Sequence, residues 1–191
     1  MTDPIALLNE TLERARQSEP DVPEAMALAT VDASGSPSVR IVLVRGVDHR
    51  GLRFFTNFGS RKAAELAVND RAAVCFHWKT LREQVRVEGR VAQLDGADAD
   101  SYFAARPRAS QIGAWASRQS APLESREALE HRVAELEAKY AGRDVPRPEF
   151  WGGYRLEPER IEFWHHKDSR LHHREVYARD GDGWTSEYLY P

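Results

Sequence analysis

The chain has 191 residues, 41% hydrophobic and 30% charged, with 27 basic and 30 acidic side chains and a formal net charge of −3. That length fits about one domain with a buried core, and so balanced a charge excludes a surface built to coat nucleic acid or an anionic membrane. A single cysteine, Cys75, excludes an internal disulfide and a thiolate zinc cluster, and no stretch approaches the ~18 consecutive apolar residues of a membrane span.

The spacing of Ile5, Leu8, Leu12 and Ala15 predicts an amphipathic helix, with Thr2 or Asp3 as its N-cap and Pro20-Asp21-Val22-Pro23 as its stop. Residues 1–20 then read as a helical arm on a single domain spanning 1–191. The opening Met1-Thr2-Asp3-Pro4 has no apolar leader, so a cytoplasmic protein is expected. Met26–Val31 and Val39–Val44 read as strands joined by the turn residues Asp32-Ala33-Ser34-Gly35. A second turn at Asp48-His49-Arg50-Gly51 leads into a third strand, Leu52–Thr56.

Ser60 can open a short helix through Ala63, Ala64, Leu66 and Ala67. Ala72–Trp78 follows as an apolar strand with Cys75 as a core residue. In Gln84–Leu94, Val85, Val87, Gly89 and Val91 alternate with Gln84, Arg86, Glu88 and Arg90, which predicts a long half-buried strand. A helical middle runs from Ala97 to Tyr140 and ends on the stripe Leu129, Val133, Leu136, Tyr140. Val145-Pro146-Arg147-Pro148 breaks the chain. Trp151-Gly152-Gly153-Tyr154 reads as an aromatic beside a tight bend, and further strands are expected at Ile161–Trp164, His173–Ala178 and Trp184–Tyr188. Strands, then helices, then strands, without βαβ alternation, predict an α+β fold with one antiparallel sheet closed into a barrel.

The chemistry-bearing residues are dispersed. No Gly-rich nucleotide loop and no nucleophile elbow occurs. Lysine stands only at Lys62, Lys79, Lys139 and Lys167, so arginine supplies 23 of the 27 basic residues. Its planar fork suits phosphate and carboxylate, although composition alone reads as coding bias. Gly59-Ser60-Arg61-Lys62 sits at a strand-to-helix junction, where free N–H groups and two cations can meet an anion. Arg106-Pro107-Arg108 with Tyr102 and Ser110, and Arg118-Gln119-Ser120, add further phosphate donors. His165-His166 and His172-His173 alternate across a strand, so neither pair chelates one metal, and no metal is expected.

In order along the chain, Arg40-Ile41-Val42-Leu43-Val44, Phe55-Thr56-Asn57, Gly59-Ser60-Arg61-Lys62, Gln84-Val85, Tyr102-Phe103 and Arg106-Pro107-Arg108 are followed by Ser110-Gln111-Ile112-Gly113-Ala114-Trp115, Gln119-Ser120, Phe150-Trp151-Gly152-Gly153-Tyr154, Glu162-Phe163-Trp164 and Arg170-Leu171-His172-x-Arg174. This series resembles the pyridoxamine 5′-phosphate oxidase family. The resemblance implies an antiparallel split β-barrel with peripheral helices, binding FMN and working as a homodimer with the flavin at the subunit interface. It implies that Arg61 and Lys62 grip the FMN phosphate. Arg40, Ile41, Val42, Leu43, Val44, Phe55, Thr56 and Gln84 would line the flavin, completed by Gln119, Ser120, Trp164 and Arg174, some of them from the other subunit. Arg45, Tyr102, Arg106 and Ser110 would hold the substrate phosphate, and Arg170 and His172 would sit over the reacting carbon as catalytic and substrate-binding residues.

The implied reaction is oxidation of pyridoxamine or pyridoxine 5′-phosphate to pyridoxal 5′-phosphate, with O2 reduced to H2O2. Two positions depart from the family pattern: Arg45 stands where lysine is usual, and His173 where aspartate is usual. Related flavin oxidases of phenazine precursors, and split barrels that only hold flavin or pyridoxal phosphate, are the competing readings. Tyr102, Arg106 and Ser110 together favour the B6 phosphate over the former. Arg170 and His172 argue against the latter.

Overall fold

The computed structural model describes residues 3–191; Thr2, one of the two expected caps, lies outside them. Helix α1 (Pro4–Ser18) starts where Asp3 accepts the Ile5 N–H at 3.0 Å and Pro4 presets the first turn. Its buried stripe, Ile5, Leu8, Leu12 and Ala15, closes one side of the main core. Strands β1 (Ala25–Val31) and β2 (Pro37–Leu43) form the first hairpin, with Leu28 opposite Arg40. A two-residue strand β3 (Val47–Asp48) then pairs with β4 (Gly51–Asn57). Helix α2 (Arg61–Val68) leads to β5 (Arg71–Trp78) and β6 (Glu83–Gln93).

The helical middle is three helices: α3 (Gly96–Ala104), α4 (Arg108–Ala116) and α5 (Arg126–Lys139). Strand β7 (Trp151–His165) is the longest element of the sheet, and β8 (His173–Asp180) and β9 (Gly183–Tyr188) follow it. The expected bend at Trp151-Gly152-Gly153-Tyr154 is therefore the start of β7, paired along its length with β4. The glycines are there for space. A Cβ on Gly152 would stand 2.4 Å from the Phe58 ring, and one on Gly153 would stand 2.6 Å from Leu94 and 2.8 Å from Phe55.

All pairings are antiparallel, in the order β2-β1-β5-β6-β7-β4-β3, with β8 and β9 continuing from β7. The end strands β2 and β3 do not pair, so the expected closure does not occur and the barrel stays open. The inner face buries Leu28, Leu52, Phe54, Phe76, Val87, Leu156 and Phe163, each contributing about 1.5–3 kcal/mol by leaving water. A second cluster, Phe103, Ile112, Tyr140, Val145 and Trp151, holds the helical middle onto β7.

Cys75 is not in the core. It is half-exposed on the outer face of β5, in register with Ala27 and Arg86, because β5 alternates rather than burying both faces. Among the described residues no helix is long and apolar enough to cross a membrane.

Candidate functional site

The expected site residues fall into two groups. The first lines a cleft of about 820 Å³ bounded by β2, β4, α2, α4 and the loop after α4, within the usual size range of small-molecule sites. Arg40, Ile41, Val42, Leu43, Arg45, Phe55, Thr56, Arg61, Lys62, Tyr102, Arg106, Ser110, Gln119 and Ser120 all border it. Because β2 is an edge strand, part of its backbone N–H and C=O row is open to a ligand in this cleft.

At one end of the cleft Lys62 is only 8% exposed. Its Nζ donates to Thr56 Oγ1 at 3.1 Å, Ser60 Oγ at 3.3 Å and Gln119 Oε1 at 3.0 Å. All three acceptors are neutral, and Lys62 forms no ion pair among the described residues. Burial and then the neighbouring Arg40 pull its pKa down, with Glu65 partly opposing them. A cation in that position is electrostatically incomplete until an anion joins it. Gln119 is carried by a loop that Asn57 steadies, its Nδ2 donating to Ser117 O at 3.2 Å. Arg61, on the first turn of α2, is largely exposed and donates from Nε to Glu65 at 2.8 Å.

At the other end Arg106 lies flat over Trp151, 4.7 Å from the ring centroid, and 5.6 Å from that of Phe103. Its Nη1 is buried with no hydrogen-bond partner. Burial lowers its pKa, Tyr102 raises it and Arg45 lowers it again. The wall between the two ends is aromatic, with Phe55 stacked on Tyr102 at 4.1 Å and on Trp151 at 5.5 Å. The cleft thus carries two cationic groups, Lys62 and Arg106, and an aromatic wall of Phe55, Tyr102 and Trp151.

The second group sits elsewhere, on the outer face of β6, β7 and β8, and does not border the cleft. Gln84, Trp164 and Arg174 form one cross-strand row. Arg174 donates to both oxygens of Glu162, at 2.8 and 3.1 Å, and to Tyr190 O at 2.9 Å. Arg86 grips the same carboxylate. Glu162 is buried; burial raises its pKa, but the hydrogen bonds and charges of Arg174 and Arg86 bring it below the usual carboxylate range.

The His172 ring lies 4.5 Å from that of Trp164, and its Nδ1 accepts the Lys167 N–H at 3.2 Å. This hydrogen bond leaves Nε2 as the protonated nitrogen of the neutral ring. Arg170 is exposed at the end of a 3-10 turn (Asp168–Arg170), where Ser169 and Arg170 both have positive φ, 56° and 61°. Such backbone strain is tolerated where a side chain must be aimed. Val44 joins neither group: it is buried in the core, 1% exposed.

Several residues of this architecture escaped the sequence reading. Glu65, Thr30 and Ser38 form a buried network behind Arg40, for which the Arg61–Glu65 spacing was the one local clue. Trp151 and Glu162 were noticed only as parts of a motif. No group of His, Cys, Asp or Glu among the described residues could hold a metal.

Comparison with known proteins decides the family. The family described as "Pyridoxamine 5'-phosphate oxidase" matches residues 12–140, and "Pyridoxine 5'-phosphate oxidase C-terminal dimerisation region" matches residues 151–191. The chain belongs to the pyridoxamine 5′-phosphate oxidase family. A pyridoxine/pyridoxamine 5′-phosphate oxidase of Anaeromyxobacter dehalogenans is 59% identical over 99% of this chain and 96% of its own. One from Myxococcus xanthus is 54% identical over 99% and 92%. Among solved structures, PhzG from Burkholderia lata 383, in complex with tetrahydrophenazine-1-carboxylic acid, superposes with a TM-score of 0.95 at 36% identity, over 100% of this chain and 94% of that one. A pyridoxamine 5′-phosphate oxidase-related, FMN-binding protein of Nostoc punctiforme, at TM-score 0.81 and 20% identity over 100% of both chains, shares the fold. The open sheet is the split barrel of these proteins. Of the second group, Trp164, Arg170, His172 and Arg174 lie within the dimerisation region, and Gln84 lies within the other matched stretch.

Proposed function

We propose that this chain is a cytoplasmic, homodimeric FMN-dependent oxidase that converts pyridoxine and pyridoxamine 5′-phosphates to pyridoxal 5′-phosphate, its 191 residues forming one domain. The observation that carries the reading is the pair of unfinished cationic ends in one cleft: Lys62 with neutral partners only, and Arg106 with a buried, unpartnered Nη1. Two phosphate monoesters, one on the cofactor and one on the substrate, match two such ends. The residues fit FMN, since a buried lysine, the polar Thr56 and Gln119 and the open edge of β2 suit a phosphate, a polyol and a flat ring.

When bound, FMN would supply the acceptor for the hydride that the substrate carbon gives up, and O2 would take on its two electrons, with two protons, as H2O2. For the alcohol, one O2 yields one aldehyde and one H2O2; for the amine, a water is also consumed and ammonia leaves. The protein supplies placement. Arg106, Arg45, Tyr102 and Ser110 anchor the substrate phosphate, and that remote binding energy orients the reacting carbon. Phe55 and Trp151 exclude water from the middle of the cleft.

Arg170 and His172 lie outside this chain's cleft, so they act on a substrate held by the partner subunit. His172 offers an N–H at Nε2 to the substrate oxygen or nitrogen. Arg170 brings a positive charge that disfavours protonation of the amine, leaving its lone pair free. Homodimerisation is in keeping with two apolar residues left exposed on the edge strand β2, Val39 at 68% and Ile41 at 65%, both of which border the cleft.

The similarity to PhzG favours a second reading, a flavin oxidase of a phenazine precursor. Anaerobic addition of pyridoxine 5′-phosphate to the FMN-loaded protein separates the two. Bleaching of the flavin, and pyridoxal 5′-phosphate on admitting oxygen, are expected. No bleaching with this substrate, but bleaching with a dihydrophenazine carboxylate, would establish the second reading instead.

A further inference from the structure

Glu65 is a buried carboxylate to which the reaction gives no part. It is 4% exposed, on the second turn of α2, and it faces the inner side of the β1–β2 hairpin. Four side chains converge on it. Ser38 Oγ donates at 2.6 Å, Thr30 Oγ1 also donates, Arg61 Nε donates at 2.8 Å and Arg40 Nη2 donates at 3.1 Å. Burial alone would raise its pKa, but the hydrogen bonds from Ser38, Thr30, Arg61 and Arg40 hold it at about 2. The two arginines it holds border the cleft on the side of Lys62. Arg40 is further tied to Leu28 O at 3.1 Å, while Arg61 has no other hydrogen bond or ion pair among the described residues.

We propose that Glu65 is the positioning residue for the phosphate end of the flavin site, fixing Arg40 and Arg61 so that both side chains are ordered before the anion arrives. The inference rests on the FMN reading above. Two opposing effects decide what its loss does. Removing the carboxylate leaves three cations without a counter-charge, which attracts an anion more strongly. That gain is screened by solvent around the exposed Arg61. The loss is the freedom returned chiefly to Arg61, and in smaller part to Arg40, which keeps Leu28 O, Thr30 Oγ1 and Ser38 Oγ; the phosphate itself must then order them. Glutamine cannot replace the carboxylate, because its amide presents one oxygen to four donors and turns an N–H₂ toward an arginine. Ordering outweighs the screened charge, so affinity falls.

The test uses the full-length apoprotein, titrated separately with FMN and with riboflavin, which lacks the phosphate, and followed by quenching of flavin fluorescence. Glu65→Gln is expected to weaken FMN by about tenfold, as when the ligand itself must order a long side chain on binding, and to leave riboflavin unchanged. Glu65→Asp, which keeps the charge on a shorter arm, recovers part of the FMN affinity. Unchanged or tighter FMN binding by Glu65→Gln overturns the proposal, as does an equal loss for FMN and riboflavin, which would mark a purely structural tie. Should Glu65→Gln fail to fold, Ser38→Ala removes one donor and keeps the carboxylate. It is then expected to weaken FMN about threefold with riboflavin unaffected, and equal loss or none overturns the proposal. If the wild-type protein binds no FMN, the functional reading fails and the proposal with it; if it binds FMN and the variants do not discriminate, only the proposal fails.

Discussion

The cleft beside β2 and the ledge on β6, β7 and β8 both present arginines, yet they treat charge in opposite ways. In the cleft, the buried Lys62 and the half-buried Arg106 have no carboxylate: Lys62 meets three neutral acceptors, and Arg106 keeps one buried nitrogen unpartnered. On the ledge, Arg174 is locked by both oxygens of Glu162 and by a tail carbonyl, with Arg86 on the same carboxylate. Cations that bind a mobile anion are left unsatisfied until it comes. In the proposed dimer, Arg174 meets the other subunit's ligand and is fixed in advance by its own chain. Glu65 gives the cleft a share of the second strategy, holding Arg40 and Arg61 from behind.

Substitutions can break or sharpen this contrast. The largest effect is expected from Lys62→Met, which removes the buried cation: FMN affinity should fall about 100-fold, as for loss of charge-assisted hydrogen bonds worth about 1.5–3 kcal/mol, while the folded state gains because an unpaired buried charge is gone. A fluorescence titration paired with a thermal melt checks both signs. Arg106→Ala should raise KM for pyridoxine 5′-phosphate at least about tenfold while FMN affinity stays near wild type, read from steady-state kinetics and the same titration. Were FMN lost equally, the two cationic ends would not serve separate ligands. Glu162→Gln, on the ledge, should loosen Arg174 and weaken FMN several-fold, roughly the loss of one charged hydrogen bond; retention of full affinity would show that Arg174 needs no support.

The smallest effect is on acid stability. Glu65 is held at about 2 against its usual 4.5, so it stabilises the fold fully above pH 4.5 and loses that contribution as pH falls toward 2. Denaturant midpoints measured across that window should fall more steeply for the wild type than for Glu65→Gln, and parallel curves would contradict the assignment.

Local features of the fold were readable in the sequence because they rest on local physics. The Asp32–Gly35 turn fixes the first hairpin, and the alternation of Val85, Val87, Gly89 and Val91 follows the buried face of β6. Gly152-Gly153 misled because a glycine pair signals a bend unless one knows that Phe58, Phe55 and Leu94 occupy the space of the missing side chains. Those side chains come from other parts of the chain. Cys75 misled for a related reason: an apolar run suggests burial on both sides, whereas the outer face of β5 is left half-open here. Closure of the barrel depends on whether β2 and β3 meet, which no local pattern encodes.

The candidate site residues came from the family resemblance, and their division between cleft and ledge was not apparent in any motif. That division follows from register: Gln84, which lies between Lys62 and Arg106 in sequence, shares a row on the outer face with Trp164 and Arg174. Val44 shows the same limit at the scale of one residue, since it follows four cleft-lining neighbours yet points into the core.

The central claim is that each active site takes its cleft from one subunit and its ledge from the other, and complementation tests it most directly. Assayed with pyridoxine 5′-phosphate well below the KM raised by Arg106→Ala, that variant is crippled at its cleft and Arg170→Leu at its ledge, so each homodimer alone should keep at most about a tenth of wild-type activity. Unfolded together in equal amounts and refolded, half of the dimers are hybrids. Each hybrid then holds one site with both defects and one with neither, so activity should return to about a quarter of wild type by the symmetry of a two-fold dimer. A mixture that stays as inactive as its parents, with hybrids present, would contradict the shared site.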